Sequence, residues 1–277
     1  MYDQYYGKDA DDVELILELI GETPQNIFEV CCGTGRVLVP LAKAGHNVTG
    51  MDADEGMLAR LPAKAAGLLN LRYSLADALT TGWGGGYDVV ILACNTLMNI
   101  EHRDDDKAAQ QLFIQKAADA LKPGGHFFVA YDVYPDPEKT FVGESKLTAG
   151  RYAGTDETGV SGHGFGCGGL YNPVTQIAVW NNHLELTLPG GEKRIFPGYG
   201  HKYICTRDEV HGWLKDSGFV VEEEFGGCDR MPFAGGPGWD IIWARKDICH
   251  IIDAASYNMY FIIYAHFALL TNLRIRH

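Results

Sequence analysis

One stretch, Phe28-Glu29-Val30-Cys31-Cys32-Gly33-Thr34-Gly35-Arg36, constrains this chain more than any other. Asn26 to Val30 is apolar and β-prone and reads as a short buried strand, while Val37, Leu38, Leu41 and Ala42 recur at helical spacing after the glycines. A strand that passes through a glycine turn into a helix forms a ligand-binding corner. Glycine lets the backbone turn tightly with no Cβ in the way, and a helix start offers free N–H groups and a positive dipole end.

A second strand, Val48-Thr49-Gly50-Met51-Asp52, ends on a carboxylate. In a βαβ unit an acid at this place accepts the ribose hydroxyls of a nucleoside cofactor. A dinucleotide site would carry a third glycine in G-x-G-x-x-G spacing. Here Arg36, Val37 and Leu38 follow Gly35, so that glycine is absent.

Residues Glu29 to Arg36 resemble the first motif of the class I S-adenosylmethionine (SAM)-dependent methyltransferases, E/D-x-x-C-G-T-G-x. Three more segments follow in the family's order. Ser74-Leu75-Ala76-Asp77-Ala78 resembles the segment whose acid meets adenine, and Tyr87 to Asn95 resembles the fourth strand. Leu121-Lys122-Pro123-Gly124-Gly125-His126 resembles the turn into the fifth. The resemblance implies SAM as cofactor and S-adenosylhomocysteine as product. It places Glu29 near the methionine amino end, Gly33 and Gly35 beneath the cofactor, and Asp52 on the ribose. Cys31, Arg36, Ala53, Met57, Asp77, Ala78, Cys94 and Asn95 complete the implied cofactor set. Tyr5, in the tyrosine-rich N-terminus with Tyr2 and Tyr6, resembles the aromatic segment that covers the cofactor; an aromatic staple on the first helix is the competing reading. Asn95 does not begin the Asn-Pro-Pro-Tyr sequence of the branch that methylates nucleic-acid and protein amides.

The implied fold is α/β: a doubly wound, seven-stranded, mostly parallel Rossmann-like sheet with an antiparallel last strand and an inserted antiparallel β lobe. Strand and helix patterns alternate up to residue 132 and resume after 205, which assigns 1–132 and 205–247 to the SAM-binding domain. Glu55 to Ala66 and Asp104 to Leu121 read as helices, and Gly82-Trp83-Gly84-Gly85-Gly86 as an exposed connector. Between 133 and 204 the alternation gives way to strand-like pieces and a Pro189-Gly190-Gly191 hairpin signal, consistent with a β-rich substrate lid. Thr206-Arg207-Asp208-Glu209 resembles a capping box. Residues 248–277 form an apolar tail outside the family pattern. It reads as a helix docking on the domain or on a second copy in a homodimer, with membrane association and a non-native tail left open.

A formal charge of −13 repels phosphate backbones, and no dense Lys/Arg cluster offsets it, which disfavours nucleic-acid substrates. Seven scattered cysteines without a C-x-x-C pair indicate neither a disulfide framework nor structural zinc, and the N-terminus has no secretory pattern, so a cytoplasmic location is expected. No metal constellation or nucleophile elbow is found. Methyl transfer needs chiefly proximity and orientation, so the expectation is transfer to N or O of a small molecule. His201 is a candidate base, with Tyr203 and Tyr6 shaping the pocket; a histidine that only hydrogen-bonds the strand edge is the alternative. An RNA- or protein-modifying methyltransferase and an inactive SAM-binding regulator are the competing functions.

Overall fold

Apolar runs of five to six residues separated by turn-rich segments can bury both faces only inside a parallel sheet covered by helices. The computed structural model, which describes residues 11–102, 105–142, 153–155 and 158–248, shows that arrangement. In chain order the elements are α1 (Asp11–Ile20), β1 (Asn26–Val30), α2 (Leu38–Lys43), β2 (Asn47–Asp52), α3 (Glu55–Leu58), α4 (Leu61–Lys64), β3 (Leu71–Leu75) and β4 (Tyr87–Leu92). A 3-10 turn at Leu97–Asn99 leads to α5 (Asp106–Ala120), β5 (Leu121–Val133) and α6 (Pro137–Phe141). Then come β6 (Ala153–Thr155), β7 (Ser161–Asn172), β8 (Ile177–Thr187), β9 (Lys193–Tyr203), α7 (Arg207–Asp216), β10 (Phe219–Phe225) and β11 (Gly238–Lys246).

The main sheet has seven strands in the order β10-β11-β5-β4-β1-β2-β3. β1 pairs in parallel with β2 and β4, and β11 runs antiparallel between β5 and β10. The order reverses direction between β1 and β4, so the carboxyl ends of these strands flank the crevice where open α/β sheets bind ligands. Alternate residues enter opposite cores, as the strand period demands. Phe28, Val30, Phe127, Val129 and Tyr131 pack with α5 and α7, whereas Ile27, Ile91, Phe128 and Ala130 pack with α1 and α2. β6 to β9 form a separate antiparallel sheet, joined at the predicted hairpin by a turn in which the Leu188 N–H donates to the Glu192 carbonyl at 2.8 Å.

Several local expectations change. The helix read over 55–66 is two single turns, α3 and α4, because Pro62 starts a new turn at the second residue of α4. The helix after the glycines begins only at Leu38; residues 33–37 are turns. The helix read from Asp104 starts at Asp106, where the Asp105 carboxylate accepts the Ala108 N–H at 2.9 Å and caps it. Trp83 is only 5% exposed, so the glycine-rich connector is not wholly at the surface. Its indole N–H donates to the Ala78 carbonyl at 2.9 Å and its ring lies edge-on to Phe113. The Thr206 capping box forms as expected, with Thr206 Oγ1 accepting the Glu209 N–H and Glu209 Oε2 accepting the Thr206 N–H. Tyr5, Tyr6 and the 249–277 part of the tail lie outside the described residues. Among the described residues, no helix is long and apolar enough to cross a membrane.

The loop after β3 is anchored by one cation. Lys116 Nζ donates to the carbonyls of Ala78, Leu79 and Thr81 at 2.5, 2.8 and 2.9 Å, with the Trp83 ring 5.6 Å away. Lys116→Met keeps most of the volume and removes all three donors, so it is expected to destabilise the fold by about 2 kcal/mol. Urea unfolding measures this; an unchanged midpoint would mean the three contacts carry no net weight.

Candidate functional site

The turn after β1 is built on positive φ angles at Cys31 (57°), Gly33 (53°) and Gly35 (78°). The two glycines serve different ends. A Cβ on Gly35 would fall 2.6 Å from Leu61 Cδ2, so this residue is required by packing against α4. A Cβ on Gly33 would meet only the Met57 terminal methyl at 3.2 Å and Asp52 Oδ2 at 4.0 Å, so Gly33 keeps space open between the turn and β2. The Asp52 carboxylate fixes this corner: Oδ2 accepts the Gly33 N–H at 2.7 Å and Oδ1 accepts the Asp54 N–H at 2.8 Å. Asp54 in turn caps α3 by accepting the Met57 N–H at 3.0 Å. Gly33, Asp52 and Met57 therefore converge. Asp77 follows the next strand and is exposed, whereas Ala78 is buried and its carbonyl is taken by Trp83 and Lys116.

Glu29 lies beneath the turn, 4% exposed, and its Oε2 has no hydrogen-bond partner. Burial raises its pKa from the ordinary 4.5 to about 8, against the opposing attraction of Arg36. A carboxyl whose pKa rises on folding holds its proton more tightly in the folded state. Stability is then fully present below pH 4.5 and falls as the pH climbs towards 8, by at most about 1.4 kcal/mol per unit. Glu29→Gln is expected to remove this decline. Thermal melts of both proteins between pH 5 and 8 test it, and parallel slopes would mean that Glu29 is ionised throughout.

Arg36 ties three elements together. Its guanidinium forks onto Asp12 of α1 at 2.6 and 2.5 Å and donates to Cys94 Sγ at 2.5 Å. Burial pushes the Cys94 thiol up to about 11, so it accepts as a neutral group. Cys94 and Asn95 follow β4 with φ of 61° and 59°, and the Asn95 side chain exchanges hydrogen bonds with Asp132 at the end of β5. Sequence reasoning missed Asp12 and Asp132. Asp12 reads as one of several acids in a helix's first turn, but Asp132 had a usable signal, a carboxylate closing the apolar run of the fifth strand.

The two candidate residues of β9 are placed differently. His201 Nδ1 lies 3.5 Å from Asp106 Oδ2, and that buried carboxylate is held by the His102 N–H at 2.7 Å. Tyr203 is 3% exposed; its hydroxyl donates to Glu209 Oε1 at 2.7 Å and lies 2.9 Å from Gln176 Oε1, a strut between β9 and α7. Glu209 carries this load as an anion: its hydrogen bonds from Lys107, Thr206 and Tyr203 outweigh its burial and hold its pKa at about 2. On the other side of α7, His211, Glu224 and Asp240 bring ligand atoms within 4.8 Å of one another. The Arg207 guanidinium sits among them, on Glu224 at 2.5 and 3.0 Å and 3.3 Å from Asp240.

Residues 27–125 match the family described as a methyltransferase domain. A ubiquinone biosynthesis O-methyltransferase of Bordetella avium is 30% identical over 192 residues, 60% of this chain and 74% of the relative. Other curated relatives are covered less completely, the chain spanning 38–56% of their length. Among solved structures, the CcbJ methyltransferase from Streptomyces caelestis superposes with a TM-score of 0.65 at 22% identity, over 86% of this chain and 90% of that one. The sugar N-methyltransferase KedS8 from a Streptoalloteichus species gives 0.66 at 17%, over 87% and 92%. The motif order, the seven-stranded sheet and these matches agree, and the chain belongs to the class I SAM-dependent methyltransferases.

Proposed function

We propose that this chain binds SAM and transfers its methyl group to a nitrogen or oxygen of a small molecule. The observation that carries the reading is the corner of Gly33 and Asp52, a close-approach glycine with a carboxylate whose two oxygens are locked by backbone N–H groups. The pre-oriented carboxylate has lone pairs left for a ribose diol, and the partnerless Glu29 Oε2 suits the amino end of the methionine moiety. When bound, SAM supplies a methyl on a sulfonium sulfur; it passes to the acceptor as the S–C bond breaks and the acceptor's proton is released.

The residues of this chain then orient and shield. Met57 packs over the Gly33 turn, Arg36 fixes α1 across the corner through Asp12, and Asn95 bounds the crevice between β4 and β5. His201, oriented through Nδ1 by Asp106, has Nε2 as the atom to receive the acceptor's proton. A relative named for O-methylation and a structural neighbour named for sugar N-methylation both support a small acceptor.

The test is S-adenosylhomocysteine release from SAM with panels of amines, phenols and alcohols. Turnover with one class, lost in His201→Ala with cofactor affinity retained, supports the reading. Tight cofactor binding without turnover on any class would favour a binding-only role.

A further inference from the structure

The carboxyl ends of β4 and β5 meet at a strained turn. Cys94 and Asn95 are consecutive non-glycine residues in the left-handed region, a conformation that costs on the order of 1 kcal/mol or more and persists where the surroundings over-determine it. The clamp is Asp132. Its Oδ2 accepts the Asn95 side-chain N–H at 2.6 Å, its backbone N–H donates to Asn95 Oδ1 at 2.9 Å, and the Tyr134 hydroxyl donates to Oδ2 at 3.1 Å.

Every one of these partners is neutral. Among the described residues no Lys, Arg or His pairs with Asp132. Asp12, by contrast, is paired with Arg36, and Glu224 with Arg207. A half-buried carboxylate lacking a counter-charge has a strong preference for a cation. Aromatic rings flank it. Trp239 is the register partner of Asp132 on β11, so both side chains lie on one face of the sheet, and Trp239 is 40% exposed. The Tyr134 ring continues through Phe141 at 4.9 Å to Trp180 at 5.7 Å on the second sheet. A carboxylate with aromatic side chains beside it is an environment that can select an ammonium group.

We propose that Asp132, with Tyr134 and Trp239 beside it, is an ammonium-binding subsite that selects an amine as the methyl acceptor. The proposal rests on the methyl-transfer reading above. The overall excess of 36 acidic over 23 basic residues adds a field that draws small cations. The same chemistry could be supplied by the cofactor, through its sulfonium or its amino group, and the experiment separates these sources.

Calorimetry on the full chain supplies the test. Wild type and Asp132→Asn, an isosteric change that keeps an acceptor for Asn95, are titrated with SAM and with S-adenosylhomocysteine. The proteins saturated with S-adenosylhomocysteine are then titrated with benzylamine and with benzyl alcohol. The expected result is that wild type binds the amine at least about tenfold more tightly than the alcohol, that Asp132→Asn removes the difference, and that its affinities for both cofactor forms stay within about twofold. Equal binding, preference for the alcohol, or no amine binding up to about 10 mM by wild type bound to S-adenosylhomocysteine overturns the subsite and leaves the cofactor reading standing. So does a loss in Asp132→Asn directed at SAM alone, which assigns the carboxylate to the sulfonium, or at both forms equally, which assigns it to the amino group. Absence of S-adenosylhomocysteine binding by folded wild type removes the methyl-transfer reading itself, and the subsite with it.

Discussion

Asp52→Ala is expected to weaken S-adenosylhomocysteine binding about 100-fold, equivalent to about 2.7 kcal/mol. Two effects add. The side chain proposed to meet the ribose is lost, and so is the acceptor of the Gly33 and Asp54 N–H groups, which are held at 2.7 and 2.8 Å. Hydrogen bonds to a charged group contribute about 1.5–3 kcal/mol each, so removing the carboxylate both loosens the turn and leaves its donors to water. Asp52→Asn keeps one carbonyl oxygen and is expected to fall about tenfold. Isothermal titration on both variants, alongside their melting temperatures, decides the matter. Wild-type affinity in a folded Asp52→Ala protein would place the cofactor elsewhere.

Gly35→Ala is expected to damage the fold more than Gly33→Ala, although the two residues share one motif. At Gly35 the φ of 78° strains any L-residue by about 1–2 kcal/mol, and the new methyl would overlap Leu61 Cδ2 at 2.6 Å and crowd Val39 Cγ2 at 3.1 Å. Leu61 is fully buried, so relief requires repacking of the α2–α4 core at about 1–3 kcal/mol more. The sum, about 3 kcal/mol, corresponds to a fall in melting temperature of about 6–12 °C. At Gly33 the only close contact is the mobile end of Met57 at 3.2 Å, so Gly33→Ala is expected to lose about half that stability and to show its main loss in cofactor affinity. Calorimetric melts combined with titration separate the two. Similar melting temperatures for both variants would refute the division between a packing glycine and a cradle glycine.

The legible parts of this protein were those governed by local chemistry. The apolar runs at Asn26–Val30 and Tyr87–Leu92 are strands because short β-prone segments need burial on both faces. The Thr206 capping box and the turn after Leu188 follow from side chains satisfying backbone groups within a few residues. Where local and tertiary signals competed, the local reading failed. Helical spacing over 55–66 continued through Pro62, whose ring the chain accommodates by starting a new turn. Trp83, set among four glycines, looked exposed, yet Phe28 and Phe113 on distant elements bury it.

By itself the sequence determined the sheet's periodicity, the glycine corner and the carboxylate at the end of the second strand, because each is a short-range pattern of backbone freedom, burial and charge. Only the tertiary structure decided which acids are neutralised. Asp12 finds Arg36, Glu224 finds Arg207, and among the described residues Asp132 meets only neutral donors. Those partners are brought together by strand order and crossover direction, over separations at which a linear pattern carries no information, and the electrostatics of the crevice follow from them.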